Sequence, residues 1–137
     1  MILSTMIVAH RGGAEIANEN TLSSFHQAIE IGVDMVEIDV HMTRDGQVVV
    51  CHDFSIDRTT NGAGKIEDMT LQQFKQAVVV DYASKLPTSE SMPTLREALE
   101  LMKGKTKILL EIKRRNKNQY AGLEQQIIDM VHAMDMV

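Results

Sequence analysis

The stretch VEIDVHMTRDGQVVVCHDF, residues 36–54, decides the architecture. An apolar alternation carries two acids, Glu37 and Asp39, reverses at Asp45-Gly46, and returns to His52 and Asp53. Asp-Gly between two alternating runs is a strong hairpin signal, because the tightest hairpin turn needs positive φ at both central residues. Read as a two-residue turn, it pairs Arg44 with Gln47, Met42 with Val49 and Asp39 with His52. Side chains alternate along a strand, so Glu37, Asp39 and His52 share one face while Ile38, Val40 and Cys51 take the other. The strand is expected to run past its sheet, fold over and bring an imidazole back level with two carboxylates.

Upstream, residues 6–9 form a short apolar run that ends in HRGG, a pattern that suits a buried strand stopping at a turn. Asn20 reads as the cap of a helix over residues 21–31, in which Leu22, Phe25, Ala28 and Ile29 fall near helical spacing and Gly32 supplies the stop. Strand, helix and the strand MVEIDV make a βαβ unit of a parallel sheet. Downstream, residues 55–93 are rich in Gly, Ser, Thr, Asn and Pro and read as an insertion with one short helix over 71–77. Together with the hairpin, the inserted region covers roughly 43–93. Thr94 then caps a helix bearing Leu95, Ala98, Leu99 and Met102, KILLEIK is a third strand, and residues 119–136 form a last amphipathic helix. The fold class is α/β with about three βα units.

The chain has 137 residues, a net charge of -5 and a single cysteine, Cys51. That charge offers no basic stripe to follow a phosphate backbone, so no nucleic-acid partner is expected. One cysteine excludes an internal disulfide, and its valine neighbours predict a buried thiol. No run approaches a transmembrane segment and the start lacks a leader's basic region, so a soluble, cytoplasmic chain is expected.

The polar residues set inside apolar strands point to chemistry. Two carboxylates buried on one face need a cation to neutralise them. LEIK in the third strand adds Glu111 and Lys113 on one face. Glu37, Asp39 and Glu111 therefore read as oxygen ligands for a hard divalent cation, Mg²⁺ or Ca²⁺. Against this stands the plainer reading of each acid as a solvated strand residue or an ion-pair partner. His10 closes the first strand, where parallel-sheet proteins keep reactive groups. With His52 it makes an acid/base pair suited to phosphodiester hydrolysis, in which Arg11 and Lys113 hold the phosphate oxygens. His41 is expected to be partly exposed near the turn, His26 and His132 structural or solvated, and residues 113–117 (KRRNK) a solvated loop beyond Lys113.

Taken together, AHRGG, ENTLSSFHQAIEIGVDMVEIDVHMTRDGQVVVCHD, DRTTNGAGKIEDMT, MPTLREALEL and LLEIK resemble the glycerophosphodiester phosphodiesterase family over residues 7–113. The resemblance implies the N-terminal portion of a TIM (β/α)8 barrel with a small insertion after the second strand, so that residues 1–137 form an incomplete barrel domain. It implies metal-dependent hydrolysis of a small-molecule glycerophosphodiester to glycerol 3-phosphate and an alcohol. By position it implies His10 and His52 as acid and base, Arg11 and Lys113 at the phosphate, and Glu37, Asp39 and Glu111 at the metal. A whole barrel has eight strands and typically about 250 residues. An open fragment needs something to cover its edges: self-association or a separate C-terminal half. Two alternatives accompany the leading one, a related lipid-headgroup phosphodiesterase and a catalytically incompetent fragment that serves only as an assembly or interaction module.

Overall fold

The computed structural model describes residues 5–15, 17–114 and 120–137. Its regular elements are β1 (Val8–Ala9), α1 (Leu22–Ile31), β2 (Met35–Met42), β3 (Val48–Val50), α2 (Leu71–Gln76), β4 (Val78–Val80), β5 (Pro87–Ser91), α3 (Leu95–Met102), β6 (Lys107–Ile112) and α4 (Leu123–Ala133), with 3-10 turns at His10–Gly12 and Ile66–Asp68. The first residues of the chain and the expected loop at 115–117, together with the start of the last helix at Gln119, lie outside the described residues.

Every strand of the main sheet pairs with β2. β6 runs parallel to it from Met35–Lys107 to Val40–Ile112. β1 is parallel through Val8–Met35 and Ala9–Val36, and β3 is antiparallel through Val40–Val50, His41–Val49 and Met42–Val48. A strand has two edges and β6 fills one, so β1 and β3 share the other, leaving a gap between them at residues 37–39. The returning strand thus continues the sheet where β1 stops, whereas the sequence predicts that it folds over the sheet.

Alternation along β2 sorts its side chains. Val36, Ile38 and Val40 are fully buried against Phe25 and Ala28 of α1, Leu95, Ala98, Leu99 and Met102 of α3, and Leu123 and Ile127 of α4. These are the apolar stripes that the helical spacing predicted. The inserted region has a core of its own, built on Ile56, Ile66, Phe74, Val79 and Met92 and resting on Val49 and Cys51. It contains the short helix expected at 71–77 and also the β4–β5 hairpin, where the sequence predicts loop. β5 carries Pro87, Thr88, Ser89, Glu90 and Ser91, so no apolar alternation marked it.

Three local expectations are corrected. The N-cap of α1 is Thr21, not Asn20: the Thr21 side chain and Ser24 form a reciprocal capping box. The hairpin turn holds three residues between Thr43 and Gln47, because the Thr43 hydroxyl donates to Asp45 at 2.6 Å and accepts from the Gln47 N–H at 3.0 Å. Gly46, at φ 77, then takes the left-handed position of a bulged three-residue loop. The register therefore shifts by one. The Asp39 backbone carbonyl accepts from the N–H of Cys51, not of His52, and Cys51 lies with Val49 in the second cluster, away from Val40. His41, expected near solvent, is completely buried.

Among the described residues no strand pairs with the outer edges of β1 and β6, as expected. Ile7 and Val8 on the β1 flank, and Leu109 and Ile112 on β6, remain exposed. Among the described residues no helix is long and apolar enough to cross a membrane.

Candidate active site

The functional side chains gather on the face of β2 that alternation sets opposite its apolar one, where β6 adds Glu111 beside Asp39. β1 ends at Ala9, and the chain turns through His10–Gly12 with Arg11 at φ 53 and Gly12 at φ 78. Left-handed backbone is natural for glycine and strained for arginine. Here it aims the Arg11 N–H at Glu37 Oε2, 2.8 Å away. Gly12 also rests against α1, where an added Cβ would fall 2.4 Å from Ser24 Oγ and 2.6 Å from the Phe25 ring. The turn that carries His10 and Arg11 is thus seated on the core by a residue that needs both positive φ and no side chain.

Glu37, Asp39 and Glu111 meet as the sequence predicted. One carboxylate oxygen from each lies within 4.8 Å of the others, because Asp39 and Glu111 are register partners on adjacent parallel strands. Glu37 and Asp39 are buried, and Glu111 is exposed. Burial raises the Glu37 carboxyl above its ordinary value, reinforced by the neighbouring Asp39 and Glu111 charges and opposed by the Arg11 N–H and by His10. Glu37 Oε1 is buried with no hydrogen-bond partner. An orphaned anionic oxygen costs free energy in a protein interior unless a cation faces it. The donor set, all carboxylate oxygen and part buried, fits a hard divalent cation.

Lys113 reaches the same cluster from the end of β6. Its Nζ lies 2.5 Å from Glu111 Oε1 and 2.9 Å from Asp39 Oδ1, although the Asp39 approach is not aligned as a hydrogen bond. Burial would lower the lysine, but the two carboxylates outweigh it and its pKa is raised. Arg11 Nε stands 3.8 Å from Asp39 Oδ2 and is buried without a hydrogen-bond partner, so the guanidinium charge faces the cluster while the rest of the side chain is partly exposed.

Of the two histidines, His10 sits at this cluster, its Nε2 4.0 Å from Glu37 Oε2 and its side chain well exposed. His52, after β3, is partly exposed and has Nδ1 2.7 Å from Asp53 Oδ1. A cleft of about 360 Å³ opens beside His10 and Arg11, and the insertion supplies its far wall through Arg58, Tyr82 and Lys85.

Two supports went unnoticed in the sequence. Asn20, at φ 55 and fully buried, donates from Nδ2 to Asp39 Oδ2 at 2.8 Å and accepts from the Asp39 N–H at 3.3 Å. Asparagine tolerates left-handed backbone, and the Asn-Thr pair before the helix was the available signal: Thr21 serves as the cap and Asn20 is left for another task. His41 accepts at Nδ1 from the Tyr120 hydroxyl (2.9 Å) and reaches the His52 carbonyl from Nε2 (3.3 Å). Burial lowers its pKa, which keeps the ring neutral, as these two roles require.

Comparison with known proteins follows the same outline. Residues 10–135 match the model of the glycerophosphoryl diester phosphodiesterase family. A glycerophosphodiester phosphodiesterase of Caldanaerobacter subterraneus subsp. tengcongensis is 38% identical over 131 residues, which cover 94% of this chain and 53% of that one. Among solved structures, a glycerophosphodiester phosphodiesterase from Agrobacterium tumefaciens superposes with a TM-score of 0.84 at 29% identity, covering 98% of this chain and 55% of the other. A phosphodiesterase from Oleispira antarctica, solved with its product sn-glycerol-3-phosphate, superposes at 0.77 with 34% identity over 96% of this chain and 52% of its own. The chain spans about half the length of the curated relatives it matches.

Proposed function

Because the chain belongs to the glycerophosphoryl diester phosphodiesterase family and folds as part of that family's TIM barrel, we propose that it carries the reactive groups for metal-dependent hydrolysis of a glycerophosphodiester to glycerol 3-phosphate and an alcohol. The observation that carries this reading is the convergence of Glu37, Asp39 and Glu111 within 4.8 Å beside His10 and the Arg11 guanidinium. Glu37, Asp39 and Glu111 would hold Mg²⁺ or Ca²⁺. When bound, such an ion supplies positive charge to a phosphate oxygen as charge builds on it.

The other groups act through the chain itself. Arg11 offers its guanidinium charge to a non-bridging phosphate oxygen, a charge-assisted contact that also orients the diester. Lys113 adds a second positive charge at the same mouth. One of His10 and His52 takes the proton from the attacking oxygen; the other gives a proton to the departing alkoxide as its P–O bond breaks. The exposure of both imidazoles lets them exchange protons with solvent between turnovers.

The test is release of glycerol 3-phosphate from glycerophosphocholine by the 137-residue chain with Mg²⁺ or Ca²⁺, against chelator, and with His52→Ala as blank. Metal-dependent release that disappears in His52→Ala is expected. Release that persists in chelator, or in His52→Ala, overturns the assignment. The exposed Ile7, Val8, Leu109 and Ile112 favour a second reading, in which the chain works only once a second copy or a C-terminal half covers its two flanks. Specific activity that climbs with protein concentration marks self-association, and activity that needs an added C-terminal segment marks the other arrangement.

A further inference from the structure

Asp53, Arg58 and Glu19 take no part in the chemistry above, yet they form an unbroken ion-paired path from His52 to Arg11. His52 Nδ1 lies 2.7 Å from Asp53 Oδ1. Arg58 grips Asp53 with Nε at 2.6 Å from Oδ2 and Nη2 at 3.2 Å from Oδ1. The same guanidinium places Nη1 and Nη2 each 2.8 Å from the two oxygens of Glu19. Glu19 in turn accepts from Arg11 Nη1 at 3.3 Å. A planar guanidinium that binds two carboxylates with two donors each has one geometry in which all four contacts hold. Arg58 therefore locks the loop after β3 to the loop before α1.

The chemistry of the first link is specific. A carboxylate can only accept, so a hydrogen bond at 2.7 Å places the imidazole proton on Nδ1. The neutral ring then carries its lone pair on Nε2. From the other side, His41 holds the His52 carbonyl from within β2, so both the backbone and the ring of His52 are restrained. Asp53 stays ionised throughout: the Arg58 bond, reinforced by His52, holds its carboxyl down to about 2. An exposed ion pair that served only to staple two loops would need Arg58 and Glu19 but would have no use for the contact between Asp53 and the imidazole.

We infer that Asp53, clamped by Arg58 and Glu19, is a positioning residue that fixes His52 in its Nδ1–H tautomer with Nε2 free for proton transfer, and that the clamp ties this imidazole to the phosphate contact Arg11. The inference rests on the reading of His52 as an acid/base residue.

The tautomer itself is the readout. Ring ¹⁵N shifts of the full chain, at a pH where the imidazoles are neutral and with His52 assigned by its absence in His52→Gln, distinguish Nδ1–H from Nε2–H without any turnover. A charge-assisted bond predicts Nδ1–H favoured roughly tenfold or more in the wild-type chain. Asp53→Asn should cut that preference to about threefold or less, whereas Asp53→Glu, which keeps the carboxylate, should retain most of it. Wild-type His52 found mainly as Nε2–H, or an unchanged ratio in Asp53→Asn, overturns the inference. If Asp53→Asn fails to fold, the wild-type and Asp53→Glu spectra still decide. In turnover, Asp53→Asn should lower kcat by about 10²-fold with KM changed less than about threefold. An active His52→Ala would remove the acid/base reading and leave the tautomer result standing, so the two failures are separable.

Discussion

Replacing Glu37 with glutamine should weaken cation binding and at the same time stabilise the metal-free chain. The three carboxylate oxygens lie within 4.8 Å of one another, and calcium takes carboxylate oxygens at about 2.3–2.6 Å, which puts the centre of a ligating carboxylate's charge about 2.8 Å away. A double positive charge facing one carboxylate at that distance is worth about 3 kcal/mol even at the dielectric constant of water and about 12 kcal/mol at an effective value near 20. Dehydration of ion and ligand consumes much of the larger figure, so the smaller one sets the expectation: about 10²-fold weaker Ca²⁺ binding. The second effect has the opposite sign. The Glu37 carboxyl is raised, first by burial, and a raised acid is destabilising once ionised, a cost that is absent at low pH and grows as pH rises through its titration. Glutamine keeps an oxygen for the Arg11 N–H and removes the charge. Thermal unfolding in EDTA at pH 7 should therefore show a higher Tm for Glu37→Gln, with the advantage shrinking on acidification, while calorimetric titration shows the loss of Ca²⁺ affinity. An unchanged Kd would take Glu37 off the ligand set. A lower metal-free Tm would refute the claim that its burial is uncompensated.

Gly12→Ala should cost roughly 2–4 kcal/mol in chemical denaturation, because the new methyl meets Ser24 Oγ at 2.4 Å on a backbone at φ 78; a loss within 0.5 kcal/mol would show that the turn does not depend on this close approach. Asn20→Ala should cost about 1–3 kcal/mol by leaving buried Asp39 Oδ2 without its donor, and a near-neutral result in the same assay would argue that Asp39 is satisfied by other groups. The Asp53 carboxyl, held down to about 2 first by Arg58, contributes stability that is present above about pH 4, the range of a free aspartate, and is lost as pH falls through about 2. Acid unfolding of Asp53→Asn should accordingly be shallower than wild type between those limits, and superimposable profiles would contradict the ion pair.

Much of the site was legible because strand periodicity and βαβ order act locally. Glu37 and Asp39 share a face by alternation alone, and Glu111 joins them once two strands are known to be parallel neighbours. The error in the hairpin register shows where that reasoning stops. Asp-Gly suits a two-residue turn and a bulged three-residue turn about equally well, and the choice fell to the Thr43 hydroxyl, which bonds both Asp45 and Gln47. A shift of one residue exchanges the faces of everything beyond the turn, and so Cys51, not His52, came to lie across from Asp39.

By itself the sequence determined the central strand and its acidic face, the three helices packed against its apolar face, the inserted region, and the turn at His10 and Arg11. These depend on periodicity, capping and turn chemistry, which act over a few residues. Only the tertiary structure decided that β1 and β3 share one edge of β2 and leave a gap at residues 37–39, that Asn20 supports Asp39 across 19 positions, and that Arg58 spans 39 positions to bind Glu19. The physical reason is that a buried carboxylate must find its partner wherever the packed chain offers one, and no local pattern records which distant donor that will be.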